Sequence, residues 1–535
     1  MKSREHVRSV LAIDLGSGGP KAAVVTEEGE ILGRGRASIG MQLLPNGGVE
    51  QVPEEWWRAI VAAVGEALRA CSRSKECIVA IACTSQWSVT TPVDRDGNAL
   101  MPAIHWMDAR GAAHSQKVTD GILKIEGYGV RSLWHWIRLT GGIPPHSGAD
   151  CLSHILFIKN ERPEVYDRTH KFLEPSDYIN LRLTGRAVSS AATAFPLLLT
   201  DNRNANDIHY SEFLIRKSGI DRDKLPDILP VGSVVGPLLP SIAEEWGLSP
   251  SVQVVTGTGD SQAAVLGSGA VADYEAHLCI GTSSWLTCHV PFKKTDVFHS
   301  LATMPAALPG RNMVVAEQGP AGKCLDCIVD RWLAPKEDFG QTKAGPNAHD
   351  RLLAEAAKVP PGSEGLLFLP WLNGAGPPTG DSNMRGGFLN QCLHTGREHA
   401  VRAVLEGVGF NLRWLAHHVE RFIGRKIDAM NFIGGGARSE LWCQILADIL
   451  QRELRQVNEP SFTIARGAAF YALLALGILG PNDLARKVKI AKAFTPNPEN
   501  RLVYAGLHDE FLRAYRANRK TFARMAKYRT ADRRG

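Results

Sequence analysis

Two stretches of the chain arrange apolar, small and hydroxylic residues in the same order. Val10–Val25 comprises an apolar run, a glycine- and serine-rich turn and a second apolar run, and Leu278–Val290 repeats this arrangement. Short apolar runs bounded by turn residues predict β-strands, here joined by a tight turn. Such a turn can hold an anion, because its free amides converge and glycine permits close approach. Two copies about 270 residues apart predict a duplicated domain that grips one polyphosphate from both sides.

The remaining pattern predicts alternating strands and helices in each half. In the first half a third strand starts at Ile31, Pro53-Glu54-Glu55 opens a helix, and Val79–Cys83 is a buried strand. The strand Ser251–Thr256 runs into Gly257-Thr258-Gly259-Asp260 and then a short helix. The second half contains a helix from about residue 398, a strand at 430–433, an amphipathic helix from about 441 and a core helix within 468–479. These elements define an α/β protein.

Length and charge divide the chain into two large domains and a tail. At 535 residues it exceeds what one hydrophobic core usually supports. We predict an N-terminal domain at 1–266, a C-terminal domain at 267–500 and a basic helix or tail at 501–535. Residues 513–535 contain nine Arg or Lys and one acid, so this segment has a net charge of +8. The whole chain has a net charge of +6, so the remaining residues carry −2. The excess of basic over acidic residues therefore lies in a predicted amphipathic terminal helix, and a nucleic-acid partner is not expected.

Cysteine usage and hydropathy favour a cytoplasmic protein without a membrane span. The ten cysteines lack the spacing of a disulfide framework, and no signal peptide precedes Val10. Cys324 and Cys327 are predicted as two helical thiols, because no second pair completes a zinc site. A small-molecule partner is expected, and a homodimer is an open alternative.

The first turn carries charged residues suited to phosphate chemistry. Asp14 ends a strand and Lys21 opens the next, with Ser17 and Gly18 between them. Asp14 can organise Mg²⁺ beside the β- and γ-phosphates, amides near Ser17 can hold phosphate, and Lys21 can neutralise charge. A glycine-rich hairpin whose aspartate stabilises the turn is the alternative. Thr282 and Ser283 in the second turn allow the same two interpretations.

Asp260 is the candidate general base. It lies between a strand and a helix, where it can be the helix N-cap, accept a proton from a hydroxyl nucleophile, or do both. The helix dipole is expected to keep its carboxylate ionised. Glycines 434–436, with Ala437 and Arg438, can let a flat adenine approach the backbone, although a tight connection between strand and helix explains them equally. A P-loop is absent from the sequence.

Taken together, these motifs resemble the FGGY carbohydrate kinases, most of all their xylulokinase-type members. The resemblance rests on Asp14–Lys21, Gly257–Asp260, Gly281–Ser283 and Gly434–Ser439, with further support at 105–110, 173–178 and 403–409. It implies an actin-like ATPase fold, in which two duplicated α/β domains with mixed sheets flanked by helices close over ATP and a sugar. The active site would lie in the interdomain cleft.

The resemblance also implies roles for individual residues. Asp260 would be the catalytic base, and both Asp14 and Asp260 would serve Mg²⁺. The cofactor ATP would contact the residues of the two turns and the glycine segment: Asp14, Ser17, Gly18, Lys21, Thr282, Ser283, Gly434, Gly435, Gly436, Ala437 and Arg438. The sugar would contact Gln86, Trp87, Ser88, Asp108, Arg110 and Asp260.

The chain departs from the family pattern mainly around the sugar. Gln86-Trp87-Ser88-Val89 stands where xylulokinase-like members have Gln-Met-His-Gly, and Met107 replaces an asparagine. The expected reaction is phosphorylation of a terminal hydroxyl, with D-xylulose as the first substrate to test. Two alternatives stay open: a kinase for another sugar or polyol, such as ribulose, glycerol or an erythritol-like compound, and a nucleotide-gated regulatory protein with weak catalysis.

Overall fold

Two large mixed β-sheets, one in each half of the chain, form the framework of the protein. The computed structural model describes residues 7–330 and 348–528. The first sheet contains seven strands: β1 Ser9–Gly16, β2 Gly19–Thr26, β3 Ile31–Arg36, β4 Ile78–Ser85, β5 Val234–Pro237, β6 Gln253–Val255 and β7 Thr258–Gly259. Its strand order is β5-β6-β4-β1-β2-β3, and β7 continues beside β4.

The second sheet contains nine strands. They are β8 Ala276–Ile280, β9 Ser283–Val290, β10 Thr295–Asp296, β11 Leu301–Pro305, β12 Asn312–Val315, β13 Glu317–Pro320, β14 Ala429–Ile433, β15 Glu453–Val457 and β16 Ile490–Phe494. Their order is β10-β11-β12-β9-β8-β14-β15-β16, and β13 pairs with β9.

The two sheets repeat one pairing scheme. In each, the first strand pairs antiparallel with the second across the glycine-rich turn and parallel with a strand from later in that half: β1 with β4, and β8 with β14. A further parallel strand and an antiparallel edge strand follow in both, β6 and β5 in one and β15 and β16 in the other. The predicted duplication of strand, turn and strand is therefore confirmed.

Sixteen helices in the described residues flank these sheets. They are α1 Pro53–Ala70, α2 Ala112–Thr119, α3 Val130–Leu139, α4 Cys151–Glu161, α5 Pro163–Arg168, α6 Pro175–Thr184, α7 Glu212–Ser218, α8 Pro240–Trp246, α9 Asp260–Ser268, α10 Gly322–Ile328, α11 Ala348–Ala356, α12 Arg397–Ile423, α13 Glu440–Leu450, α14 Thr463–Ala475, α15 Pro481–Lys487 and α16 Arg501–Met525. The predicted helices at Pro53 and near residues 398 and 441 are present.

Short strands lie in the connections between these elements. They are Gln42–Leu43, Val49–Gln51, Thr91–Val93, Ala103–Ile104, Lys124–Ile125, Tyr128–Gly129, Lys171–Leu173, Val188–Ser190, Thr200–Asp201, His209–Tyr210, Asp227–Leu229, Leu367–Leu369 and Gly387–Leu389. Most belong to the long insertion between β4 and β5, which packs its own apolar cluster around α3, α4 and α7.

Helix α14 ties the second half to the first. Although it lies late in the chain, its apolar residues pack in one cluster with buried residues of β1, β2 and β4. It crosses α9 at Gly267 and Gly467, where a Cβ on Gly467 would lie 1.7 Å from the Ala263 carbonyl oxygen. Close backbone packing of two helices therefore joins the halves. The division near residue 266 stays a prediction.

The predictions for the tail and the thiols can be compared with the structure. Helix α16 is amphipathic, with Phe511 and Tyr515 buried against the second half, and residues 529–535 of the tail lie outside the described residues. Cys324 and Cys327 both lie on α10, and the ten cysteines are free thiols. Among the helices of the described ranges, none combines the length and hydrophobicity needed to cross a membrane.

Candidate active site

A cleft of about 1130 Å³ lies between the two halves, and both glycine-rich turns open onto it. Thirteen of the predicted site residues line it: Asp14, Ser17, Lys21, Gln86, Trp87, Ser88, Asp260, Thr282, Ser283, Gly434, Gly435, Gly436 and Arg438. Gly18, Ala437, Asp108 and Arg110 are not among the lining residues. Two sequence-distant hairpins and a strand-helix junction thus meet at one place.

The charged pair of the first turn is held by strand register. Asp14 and Lys21 are directly opposite on β1 and β2, and Lys21 Nζ lies 3.8 Å from the Asp14 carboxylate. The Asp14 side chain is only 4% exposed, whereas Lys21 is 38% exposed. Burial raises the pKa of Asp14 even though Lys21 acts in the opposite direction. The carboxylate is therefore poised for a stronger cationic partner.

Asp260 is the first residue of α9, and Gly259 is the N-cap. Its carboxylate accepts a 2.7 Å hydrogen bond from the Ser261 amide. Burial, Glu317 and Asp14 together raise the pKa of Asp260 to about 8. Desolvation and the two neighbouring carboxylates therefore oppose the ionised form that the helix dipole favours, and the ionised state of Asp260 stays a prediction.

Glu317 is a site residue that sequence reasoning missed. It begins β13, lines the cleft near Asp260, and accepts a 3.0 Å hydrogen bond from Ser283 Oγ. Desolvation by the surrounding protein raises the pKa of Glu317 as well. Its only sequence signal was a lone acid in an otherwise apolar and glycine-rich stretch, which is too common a pattern to single out. The predicted phosphate ligand Ser283 thus already uses its hydroxyl on a carboxylate.

The Ser17 hydroxyl is also hydrogen-bonded within the protein, to residues of the predicted sugar-binding segment. Its hydroxyl donates to Gln86 Oε1 at 2.6 Å and accepts from Trp106 Nε1 at 3.0 Å. Gln86 Nε2 donates to Gln51 Oε1 at 2.7 Å, and Gln51 Nε2 donates to the Ser17 carbonyl at 3.0 Å. The first turn is therefore fastened to the predicted sugar-binding residues by a closed hydrogen-bond network.

His105 completes this network as a neutral donor. Burial, with a contribution from His154, lowers the pKa of His105 to about 4. Its Nδ1 lies 3.3 Å from the Met107 amide, which donates to it, so Nε2 carries the proton and donates to Gln86 Oε1 at 2.9 Å. Gln51 and His105 carry no charge in this role, and no sequence motif marks Gln51.

Asp108 and Arg110 bind each other and are not among the residues that line the cleft, so their contact with the sugar stays a prediction. The Arg110 guanidinium lies 2.7 Å from the Asp108 carboxylate and 2.6 Å from that of Glu50. Asp108 is fully buried and also accepts from the Val49 amide at 2.8 Å. The pair anchors the loop that carries His105 and Trp106 to the strand Val49–Gln51. The sequence did not indicate that Glu50 forms an ion pair with Arg110.

The glycine segment after β14 forms a wall of the cleft made of backbone. Gly434 has φ +89°, and a Cβ there would lie 2.4 Å from the Ile280 carbonyl oxygen, so only glycine fits beside the second turn. Nothing lies within 4 Å of a Cβ on Gly435, so that residue faces open space. Ala437 is fully buried behind the wall, and Arg438 lines the cleft.

An apolar wall lies beside Asp260. Trp87 stacks on Phe195 at 5.6 Å between ring centroids and 12° between planes. Met304, Met313 and Val315 belong to the same cluster and line the cleft with Trp87. The part of the cleft beside Trp87 is therefore bounded by aromatic, thioether and aliphatic groups.

Metal binding rests on few side chains. Within residues 7–330 and 348–528, no group of three or more His, Cys, Asp or Glu side chains is arranged to hold a metal ion. Asp14 and Asp260 remain as hard oxygen donors facing a cleft open to water. That set suits Mg²⁺, which binds through one or two carboxylates together with waters and substrate phosphates.

Comparison with known proteins identifies the family. Two domain models match this chain: the N-terminal domain of the FGGY family of carbohydrate kinases over residues 9–267 and the C-terminal domain over residues 276–476. The xylulose kinase of Lactococcus lactis subsp. lactis is 28% identical over 510 residues, covering 95% of this chain and 96% of its own length. The gluconokinase of Bacillus subtilis is also 28% identical, over 526 residues that cover 97% of this chain and 98% of its own.

A solved structure supports the fold. Ligand-bound xylulose kinase from Lactobacillus acidophilus superposes with a TM-score of 0.82 at 22% identity, covering 97% of this chain and all of that one. The expected actin-like fold is thereby confirmed. The chain belongs to the FGGY family of carbohydrate kinases, ATP-dependent phosphotransferases that act on sugar hydroxyls.

Proposed function

We propose that this kinase transfers the γ-phosphate of ATP to a terminal hydroxyl of a small ketose or polyol, with Asp260 as the general base. The observation that supports this assignment is the position of Asp260, which faces the cleft between the two glycine-rich turns and beside the apolar wall. A carboxylate there can orient a hydroxyl and accept its proton during in-line attack.

The two turns and the glycine segment are the proposed nucleotide contacts. Backbone amides of both turns would hold phosphate. The Ser17 hydroxyl already donates to Gln86 and the Ser283 hydroxyl to Glu317, so these two hydroxyls would position their partners. Thr282 and Lys21 line the cleft and remain available for phosphate oxygens. Gly434, Gly435 and Arg438 would border the adenosine.

Asp14 and Asp260 are the proposed holders of Mg²⁺. Burial raises the pKa of the Asp14 carboxylate, and its partner Lys21 is 3.8 Å away, so a cationic ligand would stabilise the ionised carboxylate here. When bound, Mg²⁺ would neutralise charge on the phosphates and on the surrounding carboxylates. The chain itself would orient the acceptor through Asp260, and Trp87 and Trp106 line the same cleft.

D-Xylulose is the first acceptor to test, because relatives of similar identity over nearly the whole chain are named xylulose kinases. D-Gluconate is the second candidate. The gluconokinase of Bacillus subtilis matches this chain at the same 28% identity, so overall similarity does not rank the two acceptors.

The test is ADP release by the purified protein with D-xylulose, D-gluconate, D-ribulose, erythritol and glycerol. We expect turnover with at least one acceptor, and a loss of about 10²–10⁴-fold in kcat for Asp260→Asn. Asp96→Asn, in an exposed hairpin turn, is the matched control and should leave kcat unchanged. Absence of ADP release with every acceptor would contradict the proposed reaction, and unchanged kcat in Asp260→Asn would contradict the base assignment.

A further inference from the structure

A second cavity, separate from the active-site cleft, lies between helices α3 and α7 of the long insertion in the first half. Its volume is about 430 Å³, and five residues line it: Arg131, His135, Phe213, Arg216 and Lys217. None of these five residues lines the active-site cleft. The cavity is therefore distinct from the proposed nucleotide and acceptor sites.

Packing of the two helices fixes the sides of this cavity. Trp136 on α3 and Leu214 on α7 are buried in one apolar cluster, and Phe213 packs against that cluster. The rings of His135 and Phe213 lie 4.2 Å apart between centroids, so an imidazole of α3 contacts a phenyl ring of α7. The helices thus hold the side chains that line the cavity in a defined arrangement.

Three cations line the cavity without a counter-charge. Arg131, Arg216 and Lys217 are exposed, and none of them forms an ion pair with a carboxylate of the described residues, unlike Arg222 nearby in the chain. Glu212, one helical turn before Arg216, is exposed and does not pair with it. Like charges held close together repel one another, so an anion bound among them would be stabilised. The cavity therefore suits a negatively charged ligand.

The electrostatic surroundings of His135 agree with this. Partial burial lowers the pKa of His135, and the charges of Arg131, Arg138 and Lys217 lower it further. No carboxylate of the described residues acts on this pKa in the opposite direction. His135 is therefore neutral near pH 7, and its ring N–H can donate a hydrogen bond to an anion.

The size and the aromatic side of the cavity indicate an organic phosphate rather than a bare anion. A volume of about 430 Å³ lies in the range of small-molecule pockets. Arginine binds phosphate oxygens through paired N–H groups, and Arg131 and Arg216 are available for this. Phe213 provides apolar surface for a carbon skeleton. A nucleic-acid strand would need a charged track along the surface, whereas these cations converge on one concavity.

We propose that the cavity between α3 and α7 is an accessory site that binds a small organic phosphate. Arg131 and Arg216 would hold the phosphate oxygens, Lys217 would add positive charge, and His135 would donate a hydrogen bond. The carbon skeleton would pack on Phe213. Sugar phosphates and nucleotides share this chemistry, so the test includes both.

The test is isothermal titration calorimetry of the full chain with three probes: D-xylulose 5-phosphate, ADP and inorganic phosphate. At least one of the two esters should bind wild type at a site that Arg131→Gln/Arg216→Gln weakens about 10-fold or more, because two charge-assisted contacts are lost. Both substituted residues are exposed, and Arg216→Gln alone should change the affinity in the same direction. The matched control, Arg95→Gln/Arg168→Gln, removes two exposed charges elsewhere in the same half and should leave the affinity unchanged.

The probes identify the ligand and can overturn the proposal. Weakening confined to D-xylulose 5-phosphate identifies a sugar phosphate, and weakening confined to ADP identifies a nucleotide. If wild type binds neither ester, or if Arg131→Gln/Arg216→Gln binds both as tightly as wild type, the proposal is wrong. Inorganic phosphate binding as tightly as the esters would contradict the contact with Phe213.

A membrane surface is the other anionic partner to test. Binding of wild type to phosphatidylglycerol vesicles, lost in Arg131→Gln/Arg216→Gln and without binding of either ester, would overturn the proposal and assign these cations to lipid. None of these measurements requires turnover. A failure of the reaction proposed for the cleft and a failure of this accessory site are therefore distinguishable.

Discussion

The two halves share one strand order, yet they use it differently at the cleft. In the aligned turns Asp14 precedes Gly16 by two residues, as Cys279 precedes Gly281. The first position is a carboxylate paired with Lys21, whereas the second is a buried thiol whose pKa burial and Asp260 raise well above its usual value. The duplicated backbone thus supplies two anion-binding turns, and only the first adds charged side chains.

Two further buried carboxylates, Asp177 in the first half and Glu406 in the second, are held in different ways. Asp177 is fully buried, and its partners among the described residues are two hydroxyls, Ser189 Oγ at 2.6 Å and Thr193 Oγ1 at 3.0 Å, which donate to it. Glu406 has a cationic partner, Arg402, at 2.8 Å. Burial raises the pKa of Asp177 to about 7. A neutral cradle of hydroxyl groups and an ion pair are therefore two different ways of holding a buried carboxylate.

The largest of the contrasts between the halves concerns the equivalent turn positions. Asp14→Asn should lower kcat by about 10²–10³-fold, because it removes a charge preorganised for the transferred phosphate and its cation. Cys279→Ser should change kcat by less than about 3-fold, because a neutral group replaces a neutral thiol. Steady-state kinetics over a series of Mg²⁺ concentrations measures both. Equal losses in the two variants would contradict the division of labour between the turns.

A second contrast concerns stability and pH. The folded pKa of Asp177, about 7, lies above its unfolded value, so the favourable contribution is complete below pH ~4 and is lost as the pH rises through 7. The difference corresponds to at most about 4 kcal/mol. Asp177→Asn should therefore reduce the fall in Tm between pH 5 and pH 8.

The control for this contrast is Glu406→Gln. It should lower Tm at both pH values, because it leaves Arg402 buried without its charged partner. Thermal unfolding followed by circular dichroism distinguishes the two behaviours. A wild-type Tm that is the same at pH 5 and pH 8, with no change in Asp177→Asn, would contradict the neutral cradle.

The smallest expected effect separates the turn hydroxyls. Ser17→Ala should raise KM for the acceptor about 10-fold, because it removes a hydrogen bond that positions Gln86 and Trp106. Ser283→Ala should leave acceptor KM within about 2-fold, since its hydroxyl binds Glu317 instead. Both KM values should be measured for ATP as well. A rise confined to the ATP KM in Ser17→Ala would reassign that hydroxyl to phosphate.

Prediction from the sequence was most successful where the signal is local. Val10–Val25 and Leu278–Val290 each alternate apolar runs with turn residues, and such patterns specify strands and hairpins through backbone sterics and burial. The same reasoning located Asp260 at a strand-helix junction and Gly434 at a close approach. Contacts of single side chains were harder to predict, since Asp108, Arg110, Gly18 and Ala437 are not among the residues that line the cleft, and their roles stay predictions.

By itself, the sequence determined the α/β class and the duplicated turns, and it indicated a candidate base. Only the tertiary structure decided which groups compete for each side chain. Glu50 forms an ion pair with Arg110, Glu317 contributes to the raised pKa of Asp260, and Ser17 donates a hydrogen bond to Gln86. Hydrogen bonds and charge interactions act over a few ångströms between residues far apart in the chain, so local patterns carry no record of them.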